Sequence, residues 1–156
     1  MPLNREPRFV NHPGMLLAGL RQTHALASAQ QSIPAQWQQF RDQVLPQLPA
    51  HSARYGAIGG ADHQQMDYLC AVEVEHFDDV PDITDRMHVP AQHYAVFTHS
   101  GSISGIAQSW QTIMETLMPE LGLHDARTPP FELYDERYDV EKGEGLVEIW
   151  IPILKT

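Results

Sequence analysis

Ile106-Ala107-Gln108-Ser109-Trp110-Gln111-Thr112-Ile113-Met114-Glu115-Thr116-Leu117-Met118-Pro119-Glu120-Leu121 decides the fold, because its pattern occurs twice. Trp110, Ile113, Met114, Leu117, Met118 and Leu121 form one apolar stripe on a 3.6-residue period, opposite Gln111, Thr112, Glu115 and Glu120. Ser104, or Ser102 before it, supplies an N-cap, and Gly122 stands where a helix ends. Ile33 to Leu48 repeats the design, with a stripe of Ile33, Trp37, Phe40, Val44, Leu45 and Leu48, and with Pro34 expected in the permissive first turn. The pairs Trp37/Trp110, Ile33/Ile106, Pro46/Pro119 and Leu48/Leu121 are all 73 positions apart. Each helix therefore carries a late proline, which removes a backbone donor and should bend or end its last turn.

The flanking segments repeat as well. Met15 to Arg21 and His93 to Thr98 read as strands before the two helices. Arg54 to Ile58 and Tyr68 to Val74 follow the first helix; Phe131 to Tyr134 and Leu146 to Ile153 follow the second. Gly59-Gly60 and Gly143-Glu144-Gly145 are the expected hairpin turns. The expectation is an α+β single domain over 1–156, built of two β-α-β-β repeats related by a pseudo-twofold. Together they make one antiparallel sheet of about eight strands, with two long helices on one face. Repeat one spans about 9–76, an acidic linker about 77–89, and repeat two about 90–154.

At 156 residues the chain is of single-domain size, and its 42% hydrophobic content suits a packed core. Ten Lys and Arg stand against twenty Asp and Glu, a formal charge of −10, which opposes direct nucleic-acid binding and attracts cations. The single cysteine, Cys70, excludes an internal disulfide framework, and its place in a strand suits a small buried hydrophobe. The nine histidines show no ligand spacing, so no metal and no cofactor is expected. The Met1 to Arg8 segment has no apolar run behind it, and no stretch is long enough to span a bilayer, so a cytoplasmic protein without membrane contact is the expectation. Ser100, Ser102 and Ser104 lack a nucleophile elbow, and no phosphate-loop pattern follows the glycines.

The segments Val89 to Gly101, the Trp110 helix, Pro130-Phe131-Glu132-Leu133-Tyr134 and Glu148 to Ile153 resemble, in order, the GyrI-like small-molecule-binding domain. The same module is the effector-binding domain of AraC-type regulators such as Rob and of the multidrug regulator BmrR. The likeness extends from about Phe9 to Ile153, and its family fold of two β-α-β-β repeats agrees with the repeat above. It implies drug sensing or sequestration by a stand-alone member, in a groove that takes small amphipathic, often cationic and aromatic molecules. Glu132 would meet the positive charge, with Trp110 and Tyr94 as walls. Trp37, Tyr55 and Tyr68 in the first repeat, and Tyr134 beside Glu132, complete the candidate ligand-binding set. The resemblance leaves two alternatives open. One is a hydrolase of strained, cyclopropane-bearing compounds with Glu132 as acid or base; the other is a partner of gyrase or of a regulator. Trp150, flanked by Ile149 and Ile151, is assigned to structure rather than to the groove.

Overall fold

The computed structural model describes residues 3–49 and 53–154. Nine strands form one antiparallel sheet: β1 (Leu3–His12), β2 (Met15–Ala25), β3 (Arg54–Ala61), β4 (Gln65–Val74), β5 (Asp85–Val89), β6 (Gln92–Ser102), β7 (Phe131–Tyr134), β8 (Tyr138–Asp139) and β9 (Glu144–Pro152). Eight lie in the order β1-β6-β9-β7-β3-β4-β2-β5, and the short β8 pairs with β9. The order is a palindrome of the two repeats, with β3 and β7 meeting at the pseudo-twofold. The α+β sheet-and-two-helix architecture is thus the expected one.

Two β-α-β-β units account for six strands, and the remaining two strands of the palindrome come from unexpected places. β1 begins in the N-terminal segment left outside repeat one and runs into its first residues, and β5 lies inside the 77–89 stretch expected to be linker. Each crosses to the other half: β1 pairs with β6, and β5 pairs with β2. Only Pro13 and Gly14 join β1 to β2, and only Pro90 and Ala91 join β5 to β6. In a flat sheet, strands six places apart would be separated by about 29 Å. Three residue steps reach only about 11 Å. The sheet must therefore curl until its two ends meet. At the meeting point, a Cβ on Gly14 (φ +94°) would stand 3.0 Å from both the Ala91 nitrogen and the Val89 carbonyl oxygen.

That curl explains why the helix-free face is buried without a helix over it. Leu17, Leu69, Val89, Tyr94, Phe131 and Trp150 pack there as one cluster on the inside of the curve. Trp150 belongs to this structural layer, and its Nε1–H donates to Glu148 at 3.0 Å. The two helices cover the other face, each over its own half, with Phe40 and Ile113 wholly buried at positions 73 apart. Burial of each contributes about 2–3 kcal/mol.

The first helix, α1 (Ala29–Gln39), starts earlier than the stripe implies, so Pro34 falls inside it rather than in its first turn. α2 (Ile106–Thr112) is four residues shorter. Both then widen into a π-turn, Phe40–Val44 and Ile113–Leu117, just before the late prolines. Leu45 N–H reaches back five residues to Phe40 O, and Met118 N–H to Ile113 O. The prolines lack the N–H that a normal ladder needs, so the expected bend is realised as a π-turn. Gly122 (φ +68°) ends the second helix as expected, but the expected serine cap falls one turn early: Ser102 accepts from the Ser104 N–H to cap the 3-10 turn Ile103–Gly105, and α2 itself starts after Gly105 without a side-chain cap. Gly59-Gly60 is not the first hairpin turn. These glycines lie in β3 across a bulge, and the turn is closed by the Asp62 carboxylate accepting from Gln64 and Gln65 N–H.

Candidate functional site

Strand alternation sends Phe131 and Leu133 to the inside of the curl and Glu132 and Tyr134 to the helix face. Glu132 sits at the centre of the sheet, opposite Gly56 on β3, in the seam between the two helices. Its side chain is only 5% exposed. Oε1 accepts from the Tyr68 hydroxyl at 2.6 Å and the Tyr134 hydroxyl at 2.7 Å; Oε2 accepts from Trp110 Nε1–H at 2.7 Å. Trp37 Nε1–H donates to the Tyr68 oxygen at 3.2 Å, and its ring stands edge-on to Tyr134 with centroids 5.2 Å apart. Thus Glu132, Trp110, Trp37, Tyr68 and Tyr134 form one cluster.

Tyr94 and Tyr55 are not part of it. Both project from the opposite face, where Tyr94 packs on Phe131 and Trp150 and Tyr55 packs on Phe131. Even and odd positions of a strand face opposite ways, so the sheet itself separates them from Glu132. Two further groups were invisible as site residues. Gly56 leaves the space that the Tyr68 hydroxyl fills: a Cβ there would lie 1.9 Å from that oxygen and 2.9 Å from Glu132 Oε1. Two buried histidines hold the tryptophan-bearing helices. His24 Nε2–H donates to Gln36 Oε1, and Gln36 Nε2 donates to the Leu20 and Tyr68 carbonyls, both at 2.8 Å. His99 Nδ1 meets Ser109 Oγ at 2.6 Å, and its Nε2–H donates to the Ser102 carbonyl at 2.9 Å. Gln36 precedes Trp37 as Ser109 precedes Trp110. A polar residue on an apolar stripe at matched repeat positions was the signal available.

The sheet buries two carboxylates on opposite faces and treats them differently. Glu148, on the inner face, is met by Arg8 at 2.9 Å and Arg137 at 3.2 Å. Burial raises its pKa, but hydrogen bonds from Arg8, Trp150 and Arg137 outweigh that and leave it below the usual range. Glu132 forms no ion pair with any Lys or Arg among the described residues. Burial pushes its pKa up; donation from Tyr68, Trp110 and Tyr134, and the field of His99, reduce the rise without cancelling it. Burial, together with the Glu132 charge, also pushes the Tyr68 and Tyr134 phenols well up.

The two shifts act oppositely on stability. A raised carboxyl pKa means that the native state holds its proton longer, so stability falls as pH rises from about 4.5 through the folded value. A lowered pKa makes the Glu148 contribution present above about 4.5 and lost as pH falls through the folded value. Urea unfolding across pH should therefore show Glu132→Gln gaining on wild type as pH rises, and Glu148→Gln losing the acid-side slope. A pH-independent difference for Glu132→Gln would refute the raised pKa.

Glu132 does not line the surface cleft of about 230 Å³ that opens beside Tyr134. The carboxylate therefore sits in a closed aromatic box, its oxygens held by three donors.

The sequence and fold are similar to those of known proteins. The chain is 30% identical over 153 residues to the transcriptional regulator BrlR of Pseudomonas aeruginosa, covering 96% of this chain and 56% of that one. The chain thus spans little more than half of that regulator. Among solved structures it is similar to SAV2435 bound to tetraphenylphosphonium, with a TM-score of 0.76 and 22% identity over 96% of this chain and 94% of that one. It is also similar to the EcmrR C-terminal domain, with a TM-score of 0.67 and 17% identity over the whole of both chains. At these identities the two structures speak for the fold. The family model of the GyrI-like small molecule binding domain matches residues 5–154, and the chain belongs to that family.

Proposed function

We propose that this domain binds small amphipathic aromatic cations in the seam between its two helices, with Glu132 as counter-charge. Trp110, Trp37, Tyr68 and Tyr134 form the walls. One observation carries the reading: Glu132 is buried and fully hydrogen-bonded, yet every donor is neutral and no Lys or Arg among the described residues pairs with it. A buried carboxylate without a counter-ion is costly, and a desolvated cation is the ligand that repays that cost. The aromatic walls add about 0.5–2 kcal/mol per good cation–π contact. Tetraphenylphosphonium in SAV2435 supports the ligand class, and the match to BrlR supports a sensing role coupled to transcription. The formal charge of −10 raises the encounter rate with cations.

Tryptophan fluorescence and melting temperature, measured against tetraphenylphosphonium and neutral triphenylphosphine oxide, test the reading. Saturable quenching and a raised melting temperature are expected for the cation, with a much weaker response to the neutral compound. Equal responses, or none, would overturn it. Following the ligand itself over hours reports any turnover by Glu132.

A further inference from the structure

Arg54 pairs with Tyr134 across β3 and β7, two residues along from the Gly56–Glu132 pair and on the same face. It lies about 7 Å from the carboxylate's register, at the open end of the seam. With Tyr134, Asp135 and Tyr138 it lines the 230 Å³ cleft outside the box. Arg41, in the π-turn of the first helix, does not line this cleft but is near enough for its charge to act on both Arg54 and Tyr138. Among the described residues, neither guanidinium makes an ion pair or a side-chain hydrogen bond, although acids outnumber bases two to one in this chain. The nearby carboxylates do not compensate. Asp135 is taken by Arg137 at 2.7 Å, and Glu136, on the cleft rim, reaches neither arginine. Both arginines are half-buried. Burial chiefly, and the Arg41 charge in addition, lower the Arg54 pKa.

We propose that Arg54 and Arg41 form an anion-recognising subsite at the mouth of the Glu132 box, so that the preferred ligand carries an acidic group beside its cationic aromatic part. This rests on the cation reading of Glu132 and narrows it from lipophilic cations to zwitterions with the two charges about 7–10 Å apart. The guanidinium fork suits a carboxylate, sulfonate or phosphate. The same pair repels a ligand that is cationic at both ends, so specificity comes from rejection as well as attraction.

Rhodamine B, a zwitterion with a benzoate, and its ethyl ester, a cation without one, make a matched pair of probes for fluorescence titration. Wild type should prefer rhodamine B by about tenfold. In Arg54→Gln and Arg41→Gln the zwitterion should weaken and the ester tighten, so that the preference disappears. A wild-type protein that prefers the ester, or a preference that survives both substitutions, would overturn the subsite. If neither dye binds, the Glu132 reading has failed, and inorganic phosphate then decides the arginine pair alone. A wild-type melting temperature raised by phosphate and unmoved in Arg54→Gln supports the pair, and no effect on wild type overturns it. Circular dichroism of each variant guards against unfolding.

Discussion

Glu132→Gln is expected to weaken a lipophilic aromatic cation by about a hundredfold, because it removes the charge and keeps the volume. In the seam the carboxylate is shielded from water by Trp110, Trp37 and Tyr134, so its interaction with a cation is screened little. The substitution also places an amide against donors on both sides: if the amide oxygen keeps Tyr68 and Tyr134, its NH2 must face Trp110 Nε1–H. For that reason the control is a neutral aromatic of matched size, which should lose no more than about threefold. Calorimetric titration of both compounds against both proteins reads the result. A comparable loss for the neutral compound would mean that the variant merely disturbed the box, and unchanged cation affinity would remove Glu132 from recognition.

Gly56→Ala should cost about 3 kcal/mol of stability and abolish cation binding, although a single methyl group is added. That methyl would stand 1.9 Å from the Tyr68 oxygen, and Tyr68 is 2% exposed and held at its hydroxyl by both Glu132 and Trp37. Either Tyr68 moves and gives up its bond to Glu132, or β3 moves away from β7 at the centre of the sheet. For a domain of this size the loss corresponds to a melting temperature lower by about 6–12 °C. Gly60→Ala is the matched control. No atom lies within 4 Å of a Cβ at that position, so its effect should stay within about 0.5 kcal/mol. Equal effects at the two glycines would show that backbone freedom, rather than room for Tyr68, sets the requirement.

Much of the molecule was legible in linear order because it depends on short-range periodicity. The apolar stripes, the 73-residue spacing of Trp37 and Trp110 and the paired prolines made both helices and the repeat readable. Alternation also put Glu132 and Tyr134 on one face without reference to anything distant. The cluster itself was partly legible: Trp110, Trp37, Tyr68 and Tyr134 join Glu132, whereas Tyr94 and Tyr55 do not. Alternation says that a strand has two faces, but not which face a helix will cover.

Local pattern could not reveal the exchange of β1 and β5, because β1 buries no regular stripe, β5 is only five residues long, and each takes its meaning from a partner strand 66 to 96 residues away. Nor could it reveal the curl that follows from two-residue connectors, since reach becomes a constraint only once strand order is known. The same holds for the site. Sequence determines which residues carry charge, rings and hydroxyl groups. Sheet order brings Gly56 opposite Glu132 and puts Arg54 two residues along on the same face, because non-local pairing alone decides which side chains share a face.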